Sequence, residues 1–174
     1  MAQYIIVAES GSDLAPALVE RYGVRIVPMH VTIGDEMYER SRELGVMPKT
    51  SAATIHGFAT MFDRIHEEHP DATILYLAYS SVTTCSYASA LTAAEGRDYV
   101  VAVDTKSVSI GQSQVVTRTA RFLESHPDAS VDEVRAFVER ARDEVLLGFV
   151  PSDLAFLRAG GRLSNAQFLG AHLL

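Results

Sequence analysis

The chain has 174 residues, 48% of them apolar and 21% charged, the balance of a globular protein with its own core and not of a disordered one. Lys and Arg number 15 against 22 Asp and Glu, a net charge of −7, which argues against a protein that coats nucleic acid by neutralising phosphates. The single cysteine, Cys85, excludes an internal disulfide framework and a cysteine-based zinc site. The first seven residues lack the basic start and long apolar stretch of a signal peptide. No segment approaches the roughly 18 uninterrupted apolar residues of a membrane span, so no membrane span and a cytoplasmic location are expected.

Short β-rich runs alternate with amphipathic stretches, the pattern of βαβ units and a mostly parallel sheet flanked by helices, an α/β fold. Tyr4 to Ala8 is apolar throughout and suits a strand buried on both faces. A helix is expected from about Asp13 to Tyr22, capped by Ser12 and ended by Gly23. Val24 to Ile33 reads as a second strand, kinked near Pro28, and residues 36–53 as a loop or extended crossing segment. Thr54 then caps a helix with Ile55, Phe58, Phe62 and Ile65 on its apolar face. A strand at Thr73–Ala78, a helix at about Thr84–Ala94, a strand at Tyr99–Val103 and a helix at Gly111–His126 follow.

Ser130 and Glu133 open another helix with a capping box, and its stripe is Val131, Val134, Val138, Ala141 and Val145. Leu146 to Val150 is strand-like, and a short helix around Ser152–Arg158 stops at Gly160-Gly161. A strand so close to the end of the sequence has few residues left with which to pair. The expected division is a domain over 1–144 and, over 145–174, the beginning of a truncated second domain.

In an open α/β sheet the ligand crevice lies beyond the carboxyl ends of the strands. Three segments leave strands there: Glu9-Ser10-Gly11-Ser12, Ser80-Ser81-Val82-Thr83-Thr84 and Asp104-Thr105-Lys106-Ser107. Each is rich in hydroxyls and leads towards a helix start, where free N–H groups and a partial positive charge favour an anion. One such cluster alone is usually a cap; three at one edge point to a site for an anionic headgroup. Pro48-Lys49-Thr50-Ser51 reads as a further polar turn before a helix, and Arg162 offers a five-donor fork to an anion. His66 and His69 lie at a helix end in water and are not expected to bind metal. Cys85 reads as a small buried residue. Dinucleotide, P-loop and hydrolase-elbow motifs are missing, so no cofactor is expected.

Taken in order, these phrases resemble the DegV family of bacterial lipid-binding proteins. Glu9-Ser10-Gly11-Ser12-Asp13-Leu14 is similar to that family's D-S-T-x-D-L, with Glu9 in place of Asp. Pro48-Lys49-Thr50-Ser51 matches P-K-T-S, and Ser80 to Ala90 resembles S-S-x-L-S-G-T-Y-x-S-A, with Cys85 at the glycine. Asp104 to Gln112 follows D-S-K-x-x-S-x-G-Q, and Leu157 to Ser164 follows L-x-K-G-G-R-I-S. The resemblance implies an α/β first domain, a second α+β domain and a non-enzymatic protein that binds a long-chain fatty acid. It also implies that Thr50, Ser51, Ser80 and Ser81 hold the carboxylate, with Arg162 at the cleft mouth. In such members the bound acid is presented to a separate, ATP-dependent kinase subunit that makes an acyl phosphate, a step of phospholipid metabolism. An acyl tail contributes ~0.8 kcal/mol per buried CH₂, which leaves the headgroup site to desolvate and orient a carboxylate. Two other readings remain: a non-binding truncated fragment, and a small hydrolase using Ser80 or Ser81, which would need a histidine and a carboxylate in reach.

Overall fold

The uncharged run at the start of the chain becomes the interior of β1 (Tyr4–Glu9), as its apolar composition requires. In the computed structural model, residues 4–32, 49–151 and 153–172 are described. Among them the chain divides into two compact units, 4–29 with 52–147, and 30–32 and 49–51 with 148–151 and 153–172.

The first unit is built on a four-stranded parallel sheet in the order β2 (Arg25–Val27), β1, β5 (Thr73–Ala78), β6 (Val100–Asp104). The register pairs Val7 with Arg25 on one side and with Tyr76 on the other, and Leu77 with Val103. Alternate side chains go to opposite faces. Ile6, Ala8, Leu75 and Leu77 pack with Val115, Val116, Val134 and Val138 from α4 (Ser109–Ser125) and α5 (Val131–Asp143). Val7, Ile74, Tyr76 and Ala78 pack with Phe58, Phe62, Ile65, Ala90 and Ala93 from α2 (Ile55–Glu68) and α3 (Ser86–Ala94). Both faces of the sheet are thus covered, as a parallel sheet needs.

Local chemistry sets most boundaries. Thr54 accepts the Gly57 amide at the start of α2, and Ser130 with Glu133 forms the expected reciprocal capping box at the start of α5. Gly23, at φ 60°, ends α1 (Pro16–Tyr22) in a left-handed cap that Cβ-bearing residues adopt at a cost.

Several boundaries differ from the sequence expectation. The first helix starts at Pro16, not Asp13: Ser10–Ser12 is a single 3₁₀ turn, Asp13 is left-handed and proline holds Ala15 extended. The expected strand 24–33 breaks at Pro28, which has no N–H for a ladder. Its first part is β2, and its second is β3 (His30–Thr32), which pairs antiparallel with β4 (Lys49–Ser51) in the second unit. Lys49–Ser51 is therefore a strand and not a turn, while 36–48 and Ile33 lie outside the described residues. Ile55, expected on the buried face of α2, is exposed in its first turn.

Leu146–Val150 is not a strand. Leu146 is 99% and Val150 96% exposed, because no ladder among the described residues takes this run. The expected helix near 152–158 is α6 (Ala155–Ala159), and α7 (Asn165–His172) follows it, opened by a Ser164–Gln167 exchange of hydrogen bonds.

Phe62, fully buried between α2 and the sheet, tests this packing. Phe62→Ala is expected to lower stability by about 3–5 kcal/mol in urea unfolding followed by circular dichroism. A loss below about 1 kcal/mol would mean that α2 does not pack as described.

Candidate functional site

Because β1, β5 and β6 are neighbours, the segments leaving their carboxyl ends lie side by side. They are knitted together by their own polar groups. The Ser80 amide donates to the Ser107 carbonyl (3.0 Å), and Thr105 binds the Ala78 carbonyl through its amide (3.1 Å) and its hydroxyl (2.7 Å). The Ser81 hydroxyl donates to Asp104 Oδ2 (2.6 Å), and the Lys106 amide donates to Asp104 Oδ1 (2.8 Å). Ser109 donates to Asp13, which links the third segment to the first, and Ser10 Oγ accepts the Met29 amide (2.9 Å).

Backbone strain collects at the same edge. Among the described residues, the non-glycine positions with positive φ are Lys106 (51°), within the third segment, and Asp13 (52°) and Ser109 (50°), just past the first and third. Such conformations cost of order 1 kcal/mol or more and concentrate at binding and catalytic sites. Gly11 is closely packed: a Cβ there would come within 3.0 Å of Met29 Sδ and 3.1 Å of the Tyr79 ring, so both side chains would have to shift by a few tenths of an ångström.

Under this edge lies a buried carboxylate. Glu9, the last residue of β1, is fully buried and accepts hydrogen bonds from the Tyr76 hydroxyl, from Gln112 Nε2 (2.8 Å) and from the Tyr79 amide (3.1 and 3.2 Å to its two oxygens). Gln112 Nε2 also donates to the Leu77 carbonyl (2.8 Å), while its Oε1, buried, has no partner among the described residues. Burial pushes the Glu9 carboxyl above its ordinary value, and the Tyr76, Gln112 and Tyr79 hydrogen bonds pull it part of the way back. Burial, and then the Glu9 charge, hold the Tyr76 hydroxyl far above its usual range.

Of the residues singled out in the sequence, Ser80 and Ser81 sit together in the first unit, Ser80 buried and Ser81 exposed. Thr50 and Ser51 are exposed neighbours on β4 in the second unit, opposite Val31 and His30 in register. Arg162, also in the second unit, is exposed and donates to the Gly160 carbonyl.

Cys85 is exposed, not buried as expected, because it stands just ahead of α3. Its φ of −84° is open to any residue, so glycine is not required there. Neither Ser80 nor Ser81 hydrogen-bonds a histidine among the described residues, and Ser81 is bound by a carboxylate, so the geometry of an activated serine is not assembled there. Among the described residues no cluster of His, Cys, Asp and Glu suits a metal ion, and no helix is long and apolar enough to cross a membrane.

Sequence reasoning missed the Glu9–Tyr76–Gln112 set. The available signal was Gln112 itself, a polar residue at i, i+3, i+4 and i+7 spacing with Val115, Val116 and Thr119 on the buried face of α4.

A family model described as "Uncharacterised protein, DegV family" matches residues 3–174. A DegV domain-containing protein of Halalkalibacterium halodurans is 29% identical, over 100% of this chain and 65% of its own length. A fatty acid-binding protein of Thermotoga maritima is 28% identical, over 97% of this chain and 64% of its own. Among solved structures, one described as fatty acid binding of a DegV family protein from Thermus thermophilus superposes with a TM-score of 0.85 at 32% identity, over 97% of this chain and 64% of that one. The chain thus spans under two thirds of the length of these relatives.

A buried acid whose proton affinity is raised in the folded state holds protons that the unfolded chain has released. Its contribution to stability therefore falls as pH rises from about 4.5 towards the raised value. The stability of the wild type relative to Glu9→Gln is expected to decline over that interval in urea titrations. A difference that stays flat or grows with pH would contradict the burial of an ionisable Glu9.

Proposed function

The chain belongs to the DegV family, and we propose that it binds a long-chain fatty acid. In this reading the carboxylate is held by the hydroxyls of Thr50, Ser51, Ser80 and Ser81, with the Arg162 guanidinium as a further donor. The acyl tail supplies most of the affinity at ~0.8 kcal/mol per buried CH₂. Several neutral donors acting together offset the cost of desolvating one negative charge, where a single hydroxyl would not.

The observation that carries this reading is the likeness, at a TM-score of 0.85, to a solved DegV protein described as binding fatty acid. The hydroxyl-rich segments meeting at the carboxyl edge of the sheet support it independently, since that edge is where ligands bind in open α/β folds. Ser81 now donates to Asp104, so its hydroxyl turns away from that carboxylate when it serves a ligand. In this reading the carboxylate is the reactive end of the bound acid and the part that a second protein would act on. The reading extends, through the resemblance to the family, to an ATP-dependent kinase subunit as the partner that phosphorylates the acid, in the cytoplasm and as a step of phospholipid metabolism.

The test is direct. Protein purified under native conditions is expected to carry fatty acid detectable by mass spectrometry, and delipidated protein to gain thermal stability on adding it back. Thr50→Ala and Ser81→Ala are each expected to weaken binding by about 10- to 100-fold, the loss of one hydrogen bond to a charged group. Lipid-free protein that shows no thermal shift with fatty acids of any chain length would overturn the proposal.

A further inference from the structure

Tyr79 is the first residue after β5, and its amide has left the ladder. In a parallel sheet such an amide usually finds water or a turn carbonyl. Here it points at both oxygens of a fully buried carboxylate from the neighbouring strand. Among the described residues, the Glu9 carboxylate is hydrogen-bonded by donors from three other residues: the Tyr76 hydroxyl from β5, the Gln112 amide from α4 and the Tyr79 N–H just after β5. A carboxamide at position 9 would keep the size of the side chain and turn an N–H towards one of these donors. The next residues are Ser80, whose amide binds the Ser107 carbonyl, and Ser81, which binds Asp104. No other charged side chain is hydrogen-bonded to the Tyr79 amide among the described residues.

We infer that Glu9 is a positioning residue: by accepting the Tyr79 amide on an acceptor-only carboxylate anchored to β5 and α4, it fixes the Tyr79–Ser81 turn that offers the serine hydroxyls. The link from turn to ligand rests on the fatty-acid reading above; the fixing of the turn does not. Glu9 touches no ligand itself.

Amide hydrogen exchange read by NMR tests the first half. Glu9→Gln is expected to speed exchange at Tyr79, Ser80 and Ser81 by about tenfold more than at core amides such as Val103 and Val116, the loss expected for a hydrogen bond to a charged acceptor. Tyr4→Phe is the control. It removes a buried hydrogen bond to the Ala129 carbonyl (2.7 Å) at the opposite end of the same strand. It should shift turn and core amides alike. If Glu9→Gln does not fold, Tyr76→Phe, which removes one anchor and keeps the carboxylate, is expected to give about a threefold selective change at the same amides. Turn amides that change no more than core amides overturn the inference.

A fluorescent fatty-acid displacement titration tests the second half. Glu9→Gln should weaken binding about 5-fold in the wild type and less than twofold when Ser80 and Ser81 are already alanine, since the effect passes through those residues. Equal losses in both backgrounds overturn the link between turn and ligand. A wild type that binds no fatty acid overturns the functional reading alone, and the exchange result then still decides whether Glu9 fixes the turn.

Discussion

A carboxylate taken out of water must be met by hydrogen-bond donors, and that requirement organises the carboxyl edge of the sheet. Glu9 is fully buried, and its donors come from three places that the chain reaches at residues 76, 79 and 112. Each donor constrains a different element: Tyr76 the end of β5, the Tyr79 amide the turn that follows it, and Gln112 the first turns of α4. Gln112 closes the arrangement by also binding the Leu77 carbonyl. Leaving any donor unmet would cost on the order of 1–3 kcal/mol, so the strand ends and the start of α4 are held in one relative position. The apolar layers on either side of the sheet supply the bulk of the stability but are tolerant of small shifts. The buried acid is not.

The fold was legible in the sequence where a single local rule acted without competition. The spacing of Phe58, Phe62 and Ile65 and the capping box at Ser130 each translate into structure because both are contained within a few residues. The misses are places where one residue outvoted a pattern. Pro16 moves the start of α1 three residues past the expected Asp13, and Pro28 divides one β-rich run between two sheets. Leu146–Val150 has strand-like composition, but a strand also needs a neighbour, and composition carries no information about neighbours.

The candidate site was legible to a similar depth. The rule that ligands bind beyond strand ends picked out three hydroxyl-rich segments, and the sheet order makes them adjacent. What those hydroxyls do was not legible. Ser81 donates to Asp104, Thr105 to the Ala78 carbonyl and Ser109 to Asp13, long-range pairings that depend on which strands are neighbours. In the sequence Glu9 stands only as the first residue of a hydroxyl-rich segment, in place of an aspartate. Its importance comes from burial, which the sequence signals only through Gln112 on the apolar face of α4.

The strained residues explain why so many hydrogen bonds are spent on so short an edge. Aspartate tolerates a left-handed backbone better than lysine or serine does, yet all three adopt one here. Each such residue persists only if its surroundings over-determine it. Asp13 and Ser109 hold each other through one hydrogen bond, and the Lys106 amide is fixed by Asp104, which also takes Ser81. A chain shaped by stability alone would relieve these positions with glycine or asparagine. Keeping side-chain carboxylates and hydroxyls in strained backbone, above a buried acid that accepts the Tyr79 amide, gives a row of polar groups locked to one another by hydrogen bonds. The backbone of that edge is thus ordered in advance, while a hydroxyl such as that of Ser81 has to leave its carboxylate before it can serve any other group.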